Sequence, residues 1–369
     1  MSNKKAPCVS VFLSYYNDAD FLRSAIDAVL NQDFQDFELI LLNHATTDNC
    51  REIARSYNDK RIIHIDKKFN YGAGCGILIK DMLAVARGKY VKFCCADDIL
   101  HKDCLGTLFN YMEKHPDVGC VCSDIDFINL QGKNINRKSH ITQVCFDNLL
   151  KSFSRGDNYV KYPTVMMKKS VLENIAIDRS FIMFLDVSLW VELLCAGYNM
   201  QRINKKLVSY RIHNGQVSRI FGNCSLLEMI KLADVFYKIG DVKLVKSVCD
   251  DVEYSKSLTQ KDKKYFPLIV ALHHLQGKNV SFAISGYLKI HDLMNDDEFR
   301  ADVEQRFGFT IAEFRKLYKE LPALRCFLNT EFKKISFGKL LKLVARRIFR
   351  VLTPKFYRDY FYRTKGVLK

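Results

Sequence analysis

Between residues 8 and 130 the chain switches repeatedly between two spacings of its apolar residues. Short runs that are apolar almost throughout predict strands buried on both faces: CVSVFL (8–13), FELILL (37–42), RIIHI (61–65), YVKFCC (90–95) and VGCVCSDIDFI (118–128). The segments between them place apolar residues every three or four positions. In DADFLRSAIDAVLNQ these fall at 21, 22, 25, 26, 29 and 30, a single helical stripe with Asp18 as candidate N-cap. TTDNCREIARSYND predicts a second helix, with Thr47 or Asp48 near its start. CGILIKDMLAVARG predicts a third, with Gly88 as candidate C-cap, and KDCLGTLFNYMEKHP a fourth. Alternation of this kind predicts an α/β fold, a doubly wound and mainly parallel sheet covered on both faces. Ligands of such sheets bind beyond the carboxyl ends of the strands.

The pattern changes after residue 130. Residues 131–180 are polar and less regular. MFLDVSLWVELLCA (183–196) reads as a helix, and MQRINKKLVSYRIHNGQVS (200–218) as a strand running into a loop. From about 223 to 330 the spacing is mainly helical. The expected organisation is a domain over 1–220, built from halves 8–130 and 131–220, then a helical region over 221–330 and a basic tail over 331–369.

Composition sharpens this picture. With 369 residues and 48% hydrophobic content the chain can bury a large core, which excludes a disordered class. No window approaches the roughly 20 apolar residues of a membrane span, and the first residues predict no secretion signal. The 13 cysteines include no C-x-x-C pair and sit mostly in apolar runs, so they read as reduced, structural thiols of a cytoplasmic protein. The net charge is +16, and it is concentrated in the tail, where lysines and arginines far outnumber Glu331 and Asp359. There, Phe337, Leu340, Leu341, Val344, Ile348 and Leu352 share one helical face, with Lys339, Lys342, Arg346, Arg347 and Arg350 around much of the rest. This predicts peripheral attachment to an anionic membrane surface, on the inner face of the cell membrane. Nothing else resembles a nucleic-acid module, and no nucleic-acid partner is expected. The first strand is not followed by G-x-G-x-x-G, which argues against a dinucleotide-dependent oxidoreductase.

Candidate chemistry centres on FCCADDIL (93–100), where an apolar strand ends on Asp97 and Asp98. By residue type alone the pair fits either a helix N-terminus or a hard-cation site, because Mg²⁺ and Mn²⁺ take carboxylate oxygens together with substrate phosphates. The first, second and fourth strands end in LSYYND, LLNHATTDN and CCADD, three polar loops on one sheet edge.

Six ordered segments over residues 8–218 together resemble a family 2 glycosyltransferase with the GT-A fold, of the bacterial surface-polysaccharide type. They are VSVFLSYYN, FELILLNHATTDN, the NYG turn at 70–72, AVARGKYVKFCCADD, LDVSLWVELLCAGY and SYRIHNGQVS. The resemblance implies an inverting, metal-dependent transfer of a sugar from a nucleoside diphosphate, most readily a UDP-sugar. The recipient would be a hydroxyl of a lipid-linked or oligosaccharide acceptor in a growing surface glycan, and 8–130 and 131–220 become the donor and acceptor halves. It implies Asp186 as general base, and Asp97, Asp98 and His213 toward a divalent Mg or Mn ion. Tyr15, Asn17, His44, Asp97 and Arg211 would lie against the donor. Trp190 reads as helix packing. Departures from the family pattern are Cys95 where the first aspartate of D-x-D is usual, Asn43 and His44 where a base-reading aspartate is usual, and Ile77-Leu78 in place of Arg-Asn. Gln216 and Arg219 are not followed by Trp, so the resemblance is to a single-addition enzyme. The alternative is a catalytically degenerate sugar-nucleotide-binding scaffold.

Overall fold

A computed structural model describes residues 6–72, 76–137, 148–220 and 225–320. The tail over 331–369, and with it the predicted amphipathic face, lies outside the described residues. The order is β1 (Val9–Tyr15), α1 (Ala19–Leu30), β2 (Phe37–Asn43), α2 (Cys50–Arg55), β3 (Ile62–Asp66), α3 (Gly76–Val85), β4 (Tyr90–Cys95), β5 (Ile99–Leu100), α4 (Cys104–Lys114) and β6 (Val118–Ile128). Then come α5 (Leu149–Ser154), β7 (Met166–Lys168), α6 (Lys169–Asn174), α7 (Leu185–Cys195), β8 (Asn199–Arg211) and the short α8 (Val217–Ile220). The remainder is helical: α9 (Ser225–Phe236), α10 (Val242–Val248), α11 (Phe266–Gln276), α12 (Val280–Met294), α13 (Asp297–Phe307) and α14 (Ile311–Glu320).

One eight-stranded sheet runs β3-β2-β1-β4-β7-β6-β8-β5. Its first four strands are parallel, as their continuous apolar runs predict. β7 is antiparallel to both β4 and β6, and β5 is antiparallel to β8, so the second half is mixed. Successive residues of β1 feed opposite faces: Val11 and Leu13 pack with α1, α2 and α4, whereas Phe12 packs with Ile40, Phe93 and Trp190 on the other side. The Phe12 face continues into α9–α13 through Phe236, Phe266, Leu272, Phe282 and Ile290 as one apolar core. α11 is buried all round, the pattern of a central helix. α12 lies close against it: a Cβ on Gly286 would sit 2.5 Å from the Ala271 carbonyl.

Gly88, expected to cap α3, has a different role. α3 ends at Val85, and a Cβ on Gly88 would lie 2.5 Å from the Ser10 backbone nitrogen, so the residue allows the chain to cross β1. The buried Glu38 carboxylate ties this crossing by accepting from Ser10 Oγ (2.7 Å) and the Arg87 backbone N–H (2.7 Å).

Register positions the site. Tyr15 pairs with Asn43, and Ser14 with Cys95, so the loops after β1, β2 and β4 emerge together. Ile99 pairs with Ser209, which brings the Asp97–Asp98 loop against the end of β8, more than a hundred residues later in the chain.

Candidate active site

The loops after β1 and β2 brace each other. Asn17 takes a left-handed φ of 56°, and its Oδ1 accepts from the Thr47 N–H (2.9 Å) and the Thr46 hydroxyl (3.0 Å). Asp48 Oδ2 accepts from the Ala19 N–H (3.1 Å) and its Oδ1 from the Cys50 N–H (3.0 Å), so one carboxylate serves the starts of both α1 and α2. Asp18 therefore does not cap α1 through its side chain. Its carboxylate accepts from the Tyr16 N–H instead (3.1 Å), and burial, with Asp97 and Asp48 nearby, raises it to about 6.

Of the two tyrosines that end β1, Tyr15 turns into the core and Tyr16 is exposed. His44 is buried between Tyr16 and Tyr71, edge-on to Tyr16 (6.2 Å between centroids) and stacked on Tyr71 (5.9 Å, 14°). The Tyr71 N–H donates to His44 Nε2 (2.7 Å), which puts the ring proton on Nδ1. Burial, then Lys67, holds the imidazole below its usual range and so neutral. Tyr16 and Tyr71 thus leave two partly exposed rings beside a neutral N–H donor. Asn43 is turned to other partners: its amide donates to Asp66 (2.9 Å) and its Oδ1 accepts from the Thr46 N–H (2.9 Å).

The end of β4 meets the end of β8. His213 Nε2 lies 2.9 Å from Asp97 Oδ2, and Asp98 Oδ1 accepts from the Arg211 backbone N–H (2.9 Å). Asp98 is buried. Burial, then the neighbouring Asp97 charge, pushes its carboxyl well above the usual range. Its Oδ2 is buried with no hydrogen-bond partner among the described residues. Cys95 Sγ and oxygens of Asp97 and Asp98 lie within 4.8 Å of one another. An orphaned carboxylate oxygen beside a second carboxylate, which itself meets the His213 imidazole, is a donor set that fits a hard divalent cation. Cys95 offers a soft sulfur in place of a hard oxygen, and burial, then Asp98 and Asp97, holds its thiol well above the usual range.

Arg211 is placed differently from the expectation that it faces a diphosphate. The residue is buried, Nε donates to the Asp97 carbonyl (2.8 Å), and Nη1 donates to the carbonyls of Asn129 (2.9 Å) and Leu130 (3.0 Å). Its guanidinium carbon lies 4.8 Å from the centre of the Phe21 ring. It is a charged strut that locks the β4, β6 and β8 ends together beneath the two aspartates.

Asp186 opens α7. Its Oδ1 accepts from the Val187 N–H (2.7 Å), and the Asn158 amide also hydrogen bonds the carboxylate. Burial raises it from an ordinary 3.8 to about 6, with the Val187 N–H and the Lys161 charge pulling the other way. A carboxylate poised there is ionised at neutral pH and basic enough to accept a proton. Trp190, one helical turn on, is fully buried and packs on Phe93 (6.0 Å).

Sequence reasoning missed the group that fixes this turn. The buried Glu228 of α9 accepts from the backbone N–H groups of Ile182 (2.8 Å), Met183 (2.7 Å) and Phe184 (3.0 Å). A carboxylate that gathers three donors at a helix start is strongly stabilising. Its signal was weak, since a glutamate in a helical segment ordinarily faces solvent. Glu228→Gln is expected to lower stability by about 1–3 kcal/mol, because the amide oxygen cannot serve all three donors. Thermal melting checks this, and the same variant should lose turnover with donor affinity retained. Ser154, His273 and Asp251 align at 3.0 and 2.6 Å like a hydrolase relay, but Ser154 is buried and donates to the Lys151 carbonyl (2.7 Å). That chain joins α5 to α11 and is closed to substrate.

The comparisons agree with this architecture. Residues 10–176 match the family described as "Glycosyl transferase family 2". An uncharacterized glycosyltransferase of Methanocaldococcus jannaschii is 31% identical over 212 residues, spanning 56% of this chain and 72% of the relative. The Escherichia coli UDP-Glc:alpha-D-GlcNAc-diphosphoundecaprenol beta-1,3-glucosyltransferase WfaP is 25% identical, over 63% of this chain and 86% of the relative. Among solved structures, S. aureus TarS 1-349 in complex with UDP-GlcNAc superposes with a TM-score of 0.56 at 13% identity, over 85% of this chain and 90% of TarS 1-349, which shows a shared fold. A parallel first half of the sheet, acidic strand ends in matching order and a relative of this identity make the chain a member of glycosyltransferase family 2 with the GT-A fold.

Proposed function

We propose that this glycosyltransferase moves a sugar, with inversion, from a nucleoside diphosphate to a hydroxyl of a lipid-linked or oligosaccharide acceptor in surface-glycan synthesis. The observation that carries the reading is the division of labour among carboxylates. Asp97 and Asp98 sit with His213 at the sheet edge, and Asp186 is held apart on α7 by its own contacts. Asp97, Asp98 and His213 are the residues that would hold Mg²⁺ or Mn²⁺, whose charge stabilises a departing diphosphate. Tyr16 and Tyr71, exposed on either side of the buried His44, would receive the base against their rings, with the neutral His44 as a candidate donor to a carbonyl oxygen. Uracil carries such an oxygen, and a UDP-sugar is supported by likeness to TarS, solved with UDP-GlcNAc. Asp186 accepts the proton of the acceptor hydroxyl as that oxygen attacks the anomeric carbon, and a single displacement inverts the centre. The name of WfaP supports a lipid diphosphate acceptor.

Nucleotide release from a panel of UDP-, GDP- and dTDP-sugars, with Mn²⁺ or with EDTA, tests the reading. Release with no donor above background in the presence of acceptor lipids would leave the scaffold reading, which Cys95 in place of an oxygen ligand favours.

No helix among the described residues is long and apolar enough to cross a membrane. The basic amphipathic tail is proposed to hold the enzyme on the inner leaflet. The full chain should float with anionic liposomes, and a chain ending near residue 330 should not; equal flotation rejects the tail as the anchor.

A further inference from the structure

Beside Asp186 lies a cavity of about 350 Å³, which is in the size range of small-molecule sites. Its lining includes three cations, Arg137, Lys161 and Arg219, with Asn158, Phe127 and Tyr210, and no carboxylate. None of the three cations forms an ion pair among the described residues. Arg219 donates to the neutral Asn214 side chain (2.7 Å), and the Arg137 guanidinium lies over the Phe127 ring at 5.0 Å. Of the three, Lys161 acts on a nearby carboxylate, that of Asp186; the like charges otherwise repel one another, and an anionic ligand offsets that cost.

The cavity is tied to the acceptor side of the reaction. Asn158 hydrogen bonds Asp186, and the Lys161 charge acts on the same carboxylate. Asn158 lines the cavity, and its Oδ1 is buried with no partner among the described residues, an acceptor left for a hydroxyl donor. A molecule in this cleft would therefore offer a hydroxyl near Asp186 and an anion to the arginines at once.

We infer that this cleft is the acceptor subsite and that it recognises a phosphate group carried by the acceptor, through Arg137, Lys161 and Arg219. The inference rests on Asp186 marking the acceptor side. Arginine supplies forked donors that match phosphate oxygens. The wall helix α8 also exposes Val217 and Ile220 next to Arg219, an apolar rim suited to a phosphate that is attached to a lipid.

The test uses the full chain with UDP and Mn²⁺ at saturation, so that the donor cleft is filled. Three probes are titrated: N-acetylglucosamine 1-phosphate, the neutral methyl glycoside of the same sugar, and the decyl diphosphate of that sugar. The 1-phosphate is expected to bind at least about tenfold more tightly than the neutral glycoside. Arg137→Gln/Arg219→Gln should abolish that preference with UDP·Mn²⁺ affinity unchanged, and the double Lys variant should restore part of it. Tighter binding of the decyl diphosphate than of the 1-phosphate assigns the anion to a lipid carrier, and equal binding assigns it to a phosphate-bearing soluble glycan. Equal binding of the charged and neutral monosaccharides, or no binding of the 1-phosphate up to about 10 mM, overturns the inference. So does a loss of UDP·Mn²⁺ affinity in the Gln variant, which would put these cations on the donor diphosphate. Absence of UDP·Mn²⁺ binding in the unaltered protein would instead count against the proposed function and is read separately, as is normal turnover of Asp186→Asn.

Discussion

Asp186→Asn is expected to reduce transfer by about 10²–10⁴-fold, the usual contribution of a positioned general base, with metal-dependent donor binding unchanged. The unaltered enzyme should show kcat/KM rising with pH through about 6, the value to which burial raises the Asp186 carboxyl, and levelling above it. That limb should be missing from the residual activity of the variant. Stability should move the other way. The unfolded chain releases this proton near 3.8 and the folded chain near 6, so in that window the folded state binds more protons and loses stability as pH rises. At neutral pH the ionised Asp186 is therefore a liability of at most about 3 kcal/mol, and the isosteric amide removes it. An inactive variant that melts at or above the temperature of the parent separates catalysis from folding. Wild-type-like turnover would reject the assignment of the base.

Asp97→Asn is expected to abolish the response to Mn²⁺. Asp97 contributes the carboxylate that faces His213, and it adjoins the buried Asp98 Oδ2, which has no partner among the described residues. Outer partners of metal ligands are worth roughly 10–100-fold in affinity, and loss of a direct ligand should exceed that. Asparagine keeps a side-chain partner for His213, so the fold should survive. Calorimetric titration of Mn²⁺ in the presence of UDP reads the loss directly. An Asp97→Asn protein that binds Mn²⁺ as the parent does would move the cation elsewhere. Asp186→Asn serves as the control, since it is expected to bind metal and donor normally.

The parallel half of the sheet was legible because its signals are local. β1, β2 and β4 are buried on both faces, so their apolar runs are uninterrupted, and parallel pairing in step brings their polar ends together. The order of those ends pointed to Asp97 and Asp98 before any geometry. Other contacts were hidden because they depend on long-range pairing. Arg211 lies in a motif that suggests phosphate contact, but antiparallel β5–β8 pairing turns its donors onto three carbonyls. Asp18 precedes a helix and reads as its cap, yet Asp48, thirty residues later, takes the Ala19 N–H. Glu228 looks like a solvated helix residue until α9 packs against the start of α7. Asn158 and Lys161 fall in a stretch without periodicity, and only the fold brings them to Asp186.

The edge formed by Asp97, Asp98 and His213 is proposed to bind a nucleoside diphosphate together with a divalent cation. The most direct measurement is calorimetric titration of UDP and GDP into the full chain with Mn²⁺ and then with EDTA. At least one nucleotide is expected to bind with Mn²⁺ and to be lost with EDTA. No binding of either nucleotide, or binding of equal strength after the metal is removed, would contradict the proposal.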